Sequence, residues 1–473
     1  MILNAFDMSC VTHQAPGLWR HPSNEADRYN DLGYWTSLAA LLERGKFDAL
    51  FLADVVGIYD VYRDSAAPAL TDGAQVPVGN PLLQVPAMAA VTKYLGFGVT
   101  VALTYEQPYA LARTFSTLDH FTNGRVGWNV VTSYLDSAAR NLGLDKQIAH
   151  DDRYALGEEF LDVTYKLWEG SWEDGAVRRD RDSGVFTDPS KVHPIEHRGA
   201  HYNVPGIHLS EPSPQRTPVI FQAGASPKGR DFAARHGEAV FINGIVPELT
   251  RNVTDDIRDR AESQGRRRES VKILTLVTVI VAETDELAQA KYDDYATFVS
   301  VEGAFALYGG WSGLDLSTYD LDEPLRYVDT DAARSALSIF TIADPTRDWT
   351  PRDIGHYVGI GGIGPVIIGS PATVADELER WVDVGGVDGF NLAYVITPGT
   401  FEDFIELAVP ELQRRGRVWG AYPEGTLRER LSGSDSPFVA SDHPAHAYRG
   451  AYLGRPSALD GARPSPALKE SAR

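Results

Sequence analysis

Eight short apolar segments recur along the chain, and each of them predicts a β-strand. Most are continuous runs of β-branched and aromatic residues, as expected of parallel strands that are buried on both faces. Helical patterns lie between them; one begins at Pro108 and ends near Gly124, and another begins at Ser370 and ends at Gly385. The predicted strands cover residues 2–6, 49–53, 96–103, 126–131, 219–222, 239–242, 273–281 and 389–395.

Eight strands alternating with helices favour an α/β fold of the (β/α)8 TIM barrel type over a doubly wound sheet. Residues 132–218 and 283–388 are longer than one crossover helix requires, so we expect insertions there, on the catalytic face. The barrel with its insertions is predicted to span residues 1–432. Residues 433–473 are rich in Ser, Pro, Ala and Gly and predict an extended or mobile C-terminal tail, or an arm around a neighbouring subunit.

The overall charge excludes some classes of partner. The chain has 473 residues, 44 Lys and Arg against 65 Asp and Glu, and a net charge of −21, which argues against nucleic acid and anionic membranes as partners. The lone cysteine, Cys10, precludes an intrachain disulfide. A secretory signal and a membrane-spanning apolar run are both missing from the sequence, so we expect a soluble, cytoplasmic protein.

A glycine motif and a histidine motif resemble ligand sites only in their spacing. Residues 359–364 match G-x-G-x-x-G, but Pro365 and an extended segment follow where a dinucleotide site needs a helix, so a glycine-rich loop is favoured. His193, His197 and His201 have helical spacing for a metal site. Because a proline and a glycine interrupt that helix, we expect surface or structural histidines and no metal.

Polar residues follow several of the predicted strands. Asp54 and Thr104 end the second and third strands, and residues 128–133 place amide and hydroxyl groups at the end of the fourth. Residues 223–229, after the fifth strand, supply a hydroxyl and free backbone N–H groups before a helix, as a phosphate cradle requires. Loop capping by Asp54 and a plain glycine-rich turn at 223–229 stay open as alternatives. Together, the polar strand ends predict a ligand pocket at one end of the barrel.

Read in order, these motifs resemble the flavin-dependent monooxygenases of the bacterial luciferase superfamily. The resemblance covers residues 2–430, and its most specific part is the Trp-Asn-Val-Val-Thr-Ser stretch at 128–133. It points to the branch of the nitrilotriacetate, dibenzothiophene-sulfone and long-chain alkane monooxygenases. Within that branch, residues 3–8, 19–22 and 165–174 look most like the dimethyl sulfide monooxygenases. The other segments that carry it are residues 42–54, 124–127, 150–154 and 218–226.

The resemblance implies a set of flavin contacts and a chemistry. Tyr154 and Ser226 would lie near the phosphate of FMN, and Asn129 and Ser133 are hypothetical catalytic donors to the flavin edge or to its peroxide. FMNH2 would be a diffusible co-substrate from an NADH-dependent flavin reductase, O2 would form a C4a-peroxide on it, and the enzyme would be a homodimer or homotetramer. The implied FMN-binding residues are Asp54, Thr104, His150, Tyr154 and Ser226.

The substrate side differs from some relatives, which carry a histidine in the second insertion. The corresponding stretch here contains Trp311 and no histidine, so we expect an apolar pocket, with His13 and Trp19 as weaker pocket residues. This favours a small organosulfur substrate, with dimethyl sulfide converted to methanethiol and formaldehyde. Alternatives are the same chemistry on a larger sulfone, alkane or aminocarboxylate, or an F420-dependent oxidoreductase.

Overall fold

The structure is a computed structural model that describes residues 1–325, 337–340, 342–455 and 457. Its sheets contain thirteen strands among these residues, and the helices between them follow the predicted alternation. The strands are β1 (Ile2–Met8), β2 (Ala49–Ala53), β3 (Gly96–Ala102), β4 (Val126–Val131), β5 (Val177–Asp180), β6 (Val185–Thr187), β7 (His197–Arg198), β8 (Asn203–Val204), β9 (Val219–Gln222), β10 (Ala239–Ile242), β11 (Lys272–Val281), β12 (Val366–Gly369) and β13 (Gly389–Ala393).

Eight parallel strands close into a barrel, which confirms the predicted (β/α)8 fold. Their order is β10-β9-β4-β3-β2-β1-β13-β11, and the pairing of β10 with β11 closes the ring. The short strand β12 lies outside the ring and pairs with the last four residues of β11. Because all eight strands run the same way, the chain leaves each of them at one end of the barrel, called the mouth below.

The helices lie around the barrel and cover the outer face of the sheet. Their buried residues and those on the outer face of the strands form one continuous hydrophobic cluster. The helices are α1 (Leu32–Arg44), α2 (Ala67–Asp72), α3 (Val85–Ala90), α4 (Pro108–Thr122), α5 (Asp136–Asn141), α6 (His150–Tyr165), α7 (Pro227–His236), α8 (Pro247–Ser263), α9 (Asp285–Ala296), α10 (Val301–Ser312), α11 (Pro351–Val358), α12 (Pro371–Asp383), α13 (Gly399–Asp403), α14 (Val409–Arg414) and α15 (Leu427–Ser432).

Four phenylalanine rings fill the inside of the barrel below the mouth. Phe6 packs edge-to-face on Phe51 and Phe241 at centroid distances of 5.7 and 5.0 Å, and Phe51 packs on Phe221 at 5.4 Å. Side chains thus form a dry floor inside the barrel, as is usual for this fold. The barrel interior below the mouth is therefore occupied by side chains.

The residues predicted as insertions and as a tail add structure of their own. Residues 132–218 carry α5, α6 and two small antiparallel hairpins, and the described part of 283–388 carries α9 to α12. Residues 433–455 run along α7 and the first insertion as a strap, in which His443, Ala445 and Tyr452 are buried. The rest of the predicted tail, residue 456 and residues 458–473, lies outside the described residues. None of the helices described is long and apolar enough to cross a membrane.

Candidate active site

Polar groups from two neighbouring strand ends meet at the mouth, as the sequence predicts. Thr104 follows β3, and its Oγ1 donates a 2.6 Å hydrogen bond to the carbonyl of Thr132, which follows β4. Ser133, the next residue, has a φ of 58°, in the left-handed region that non-glycine residues rarely adopt. Such strain is retained where a backbone must place a side chain in one particular position.

The start of α7 joins the same group. Ser226 is the N-cap of this helix, and its Oγ accepts a hydrogen bond of 3.0 Å from the N–H of Gly229. His150 Nε2 lies 3.2 Å from Ser226 Oγ, and the His150 ring packs on Tyr154 at a centroid distance of 5.1 Å. Burial raises the pKa of the Tyr154 phenol, while hydrogen bonds with Ser226 and Thr132 lower it. Four of the five predicted flavin-binding residues therefore form one connected cluster, called the phosphate cluster below: Thr104, His150, Tyr154 and Ser226.

Two glycines make this cluster compact. A Cβ on Gly229 would stand 2.7 Å from the Tyr154 hydroxyl and 3.0 Å from the Cα of Gly224, and a Cβ on Gly224 would stand 2.6 Å from Gln222 Nε2. Side chains at these two positions would fill the space in front of the α7 N-terminus. The turn thus presents backbone and hydroxyl groups at a positive helix end, an arrangement that suits an anion.

Asp54, the fifth predicted residue, follows β2 at the mouth. Burial raises the pKa of its carboxyl to about 6, with the backbone N–H of Val55 acting in the opposite direction. A carboxyl group that is partly desolvated at a strand end is typical of a functional site.

Two buried amides beside the mouth have unsatisfied oxygens. Asn129 Nδ2 donates to Thr100 Oγ1 over 2.9 Å, but Asn129 Oδ1 finds no partner within the described chain, and the same holds for Gln222 Oε1. Buried polar atoms in folded proteins are almost always hydrogen-bonded, so these acceptors point to a ligand or to ordered water.

A second hydrogen-bond network lies at the ends of β1, β2 and β4, and its centre, Tyr59, is a residue that the sequence patterns do not single out. The Tyr59 hydroxyl donates to Gln75 Oε1 over 2.7 Å, lies 2.8 Å from the Tyr134 hydroxyl and accepts from Trp311 Nε1 at 3.1 Å. Gln75 Nε2 in turn donates to the carbonyl of His13 over 2.8 Å. The network therefore links the segments after β1, β2 and β4 to helix α10.

The other two predicted pocket residues, His13 and Trp19, lie in different surroundings. The His13 ring is buried against Phe6 at 4.4 Å, and burial lowers its pKa to about 3, so this imidazole is neutral. Trp19 lies in a 3-10 turn with 40% of its surface exposed. Among the residues described, no hydrogen bond or ring contact joins Trp19 to either network at the mouth.

The glycine motif and the histidine motif both have surroundings that fit a role in the fold. Residues 359–364 form a turn between α11 and β12, so a helix and not a strand precedes the glycines. His193 Nε2 lies 2.8 Å from Glu173, and His197 Nε2 lies 3.1 Å from Glu159. These histidines thus bind different carboxylates. Groups of three or more potential metal ligands are absent from the residues that the structure describes.

The profile of one protein family, described as luciferase-like monooxygenase, matches residues 6–388 of the sequence. The chain belongs to the luciferase-like monooxygenase family. It is 58% identical to the dimethyl-sulfide monooxygenase of Hyphomicrobium sulfonivorans over 98% of this chain and 97% of that protein.

Solved structures agree with this membership of the luciferase-like monooxygenases. The crystal structure of DmoA from Hyphomicrobium sulfonivorans superposes with a TM-score of 0.94 at 58% identity, covering 98% of this chain and 99% of the other. A riboflavin lyase solved with modified FMN and riboflavin superposes with a TM-score of 0.86 at 35% identity, covering 95% and 99%. The protein is therefore a monooxygenase built on a TIM barrel, as the sequence motifs predict.

Proposed function

We propose that the mouth binds reduced FMN and that the protein uses it with O2 to oxygenate a small organosulfur compound. The observation that carries this proposal is the phosphate cluster of Thr104, His150, Tyr154 and Ser226 at the N-terminus of α7. It combines hydroxyl donors, an imidazole and a helix end in a space kept open by glycines. A flavin phosphate is the kind of dianion that such a cluster suits.

Each residue has a separate task in this proposal. Ser226, Tyr154 and His150 hold the phosphate, while Thr104, the member of the phosphate cluster that follows β3, and Asp54, after β2, contact the ring system. Asn129, with its unpaired Oδ1, and Ser133, on its strained backbone, supply polar atoms beside the reacting edge. When bound, the reduced flavin supplies the chemistry that activates O2. The protein binds the flavin, orients it and excludes water.

The substrate side supports a small apolar substrate. Tyr59 holds Trp311 and also contacts Tyr134, two residues after Thr132, and the polar atoms of this network hydrogen-bond to one another. A thioether such as dimethyl sulfide needs no charged anchor, and the similarity to a dimethyl-sulfide monooxygenase agrees with that choice. The products expected are methanethiol and formaldehyde. We further expect a separate NADH-dependent flavin reductase as partner and a homodimer or homotetramer.

An aerobic assay with FMN, NADH and a generic flavin reductase tests the proposal. With dimethyl sulfide, we expect methanethiol and formaldehyde only while the reductase is running. Hydrogen peroxide without either product would move the substrate to larger sulfones, alkanes or aminocarboxylates. Failure to bind FMN would overturn the flavin assignment and favour an F420-dependent reaction.

A further inference from the structure

The glycine-rich turn at residues 359–364 packs directly on the mouth. Gly361 and Gly362 have φ values of 83° and 66°, and both face buried side chains. A Cβ on Gly361 would stand 2.7 Å from Thr278 Oγ1 inside the barrel. One on Gly362 would overlap Gln14 Oε1 and would stand 3.3 Å from Cη2 of Trp311. These two glycines are called the glycine shelf below. Gly362 lets bare backbone approach Trp311, and Gly361 lets it pack on Thr278 of β11.

Trp311 is held at both ends of its ring system. Its pyrrole N–H donates to the Tyr59 hydroxyl over 3.1 Å, and Cη2, on the benzene ring, faces the glycine shelf. Tyr59 is itself fixed by Gln75 and Tyr134. An indole clamped in this way cannot change rotamer to admit a larger ligand without breaking a hydrogen bond or displacing backbone.

The clamp stands where a substrate would enter. Tyr134 directly follows Ser133, and Ser133 follows the Thr132 carbonyl that binds Thr104 in the phosphate cluster. Through Tyr59 and Tyr134, the Trp311 ring thus lies next to the segment after β4 that carries Thr132 and Ser133. One buried polar side chain lies beside Gly362 in this part of the mouth. Gln14 is 7% exposed, and its Oε1 lacks a partner among the residues described.

We infer that Trp311 is the wall that limits substrate size and that the glycine shelf is the rigid seat that keeps this wall in place. The inference rests on the function proposed above and adds a substrate class to it, dialkyl sulfides with short chains. Gly362 is a positioning residue in this account, because it acts through Trp311 and does not touch the substrate.

The test compares dimethyl sulfide with di-n-propyl sulfide, both in dissociation constants on the flavin-free protein and in kcat/KM. Trp311→Phe shortens the ring and removes its N–H, so we expect the preference for dimethyl sulfide to fall by about tenfold, a typical value for a few methylenes in an apolar pocket. Gly362→Ala crowds the indole and is expected to change the preference by about fivefold.

A matched control and a double variant separate this role from a general structural effect. Gly416 has a φ of 70° and open space within 4 Å of where a Cβ would stand, so Gly416→Ala introduces the same backbone strain without a neighbour and should leave the preference unchanged. In the Trp311→Phe background, Gly362→Ala still overlaps Gln14 Oε1 but no longer meets Cη2 of the indole, so its effect on the preference should be clearly smaller than in the unaltered protein.

Two results would overturn the inference: an unchanged preference in Trp311→Phe, or an equal effect of Gly362→Ala in both backgrounds. The binding and turnover data also separate it from the proposed function. Loss of turnover in the unaltered protein, with the expected pattern of dissociation constants, would overturn the function and leave the wall in place. If neither sulfide binds, both proposals fail.

Discussion

At the scale of single residues, the mouth depends on side chains that serve the fold and the ligand at once. Ser226 caps helix α7 through the Gly229 N–H and lies within hydrogen-bonding distance of His150. Asp54 holds a carboxyl group at a strand end where burial opposes its ionisation. Both residues are therefore expected to change stability as well as ligand binding when they are replaced.

Ser226→Ala should weaken the binding of reduced FMN by about tenfold, because a hydrogen bond to a charged phosphate contributes about 1.5–3 kcal/mol. It should also lower the free energy of unfolding by about 1 kcal/mol through loss of the cap. Anaerobic titration and urea unfolding measure the two effects. Ser370 also precedes a helix-opening proline, but its side chain caps no backbone N–H. Ser370→Ala should leave FMN affinity unchanged, and an unaltered affinity in Ser226→Ala would remove this residue from the phosphate site.

Asp54→Asn should stabilise the free protein at neutral pH. The folded-state pKa of about 6 lies above the ordinary value of 3.8, so the folded state holds the proton more tightly, and wild-type stability falls as the pH rises through this range. The advantage of the variant in the free energy of unfolding should grow by about 2 kcal/mol between about pH 4.5 and pH 7.5. Urea unfolding at the two pH values checks this. A constant difference would show that the Asp54 pKa is not raised.

At the scale of elements, the barrel strands could be predicted from the sequence, and the small hairpins in the first insertion could not. All eight predicted strands are present, because continuous apolar runs are buried on both faces of a parallel sheet. Two predicted strands extend too far, at Leu103, which begins a 3-10 turn, and at Val395, which lies two residues beyond β13. Two are predicted too short, since β1 continues past Phe6 to Met8 and β11 begins at Lys272, one residue before the predicted start. The hairpins β5–β6 and β7–β8 carry exposed polar residues and give no apolar pattern, so the sequence shows little sign of them.

Helix α15 is anchored under the barrel by one buried ion pair. Arg428 is 2% exposed, and its guanidinium contacts both carboxylate oxygens of Glu238 at 2.6 and 2.9 Å. Arg428→Met leaves Glu238 without its cation and should lower the free energy of unfolding by about 3–5 kcal/mol. The exposed pair of Arg414 and Glu411 serves as control, since Arg414→Met should cost less than about 1 kcal/mol. Similar urea midpoints for the two variants would contradict this account.

The strap is sensitive to acid at His443. Its Nε2 lies 2.8 Å from the His236 carbonyl, and its Nδ1 accepts from the Ala445 N–H at 3.2 Å, a pattern that only the neutral ring can satisfy. Burial lowers the pKa of His443 to about 3, so its contribution to stability is present above about pH 6.5 and is lost as the pH falls. The cost of His443→Asn in urea unfolding should therefore shrink by about 2 kcal/mol between about pH 8 and pH 5. A cost independent of pH would mean that the pKa of His443 is not lowered in the folded state.

At the scale of the whole molecule, the site forms because closure of the barrel brings distant segments of the chain together. Thr104 and Ser226 of the phosphate cluster could be predicted because the first follows a strand and the second opens a helix. His150 and Tyr154 came only from the resemblance to known monooxygenases. The Tyr59 network could not be predicted, because its members lie in four segments between residues 13 and 311 that meet only when the barrel is closed. Nothing in the local pattern around Tyr59 separates it from a core tyrosine.

The central claim is that this mouth couples reduced FMN and O2 to oxygenation of a small sulfide. The most direct test mixes the protein, loaded anaerobically with chemically reduced FMN, with oxygenated buffer containing dimethyl sulfide, and measures formaldehyde and hydrogen peroxide per flavin oxidised. We predict close to one formaldehyde per flavin, with no need for NADH or reductase in this single turnover. Hydrogen peroxide in equal amount to the flavin, with no formaldehyde from dimethyl sulfide, would contradict the claim.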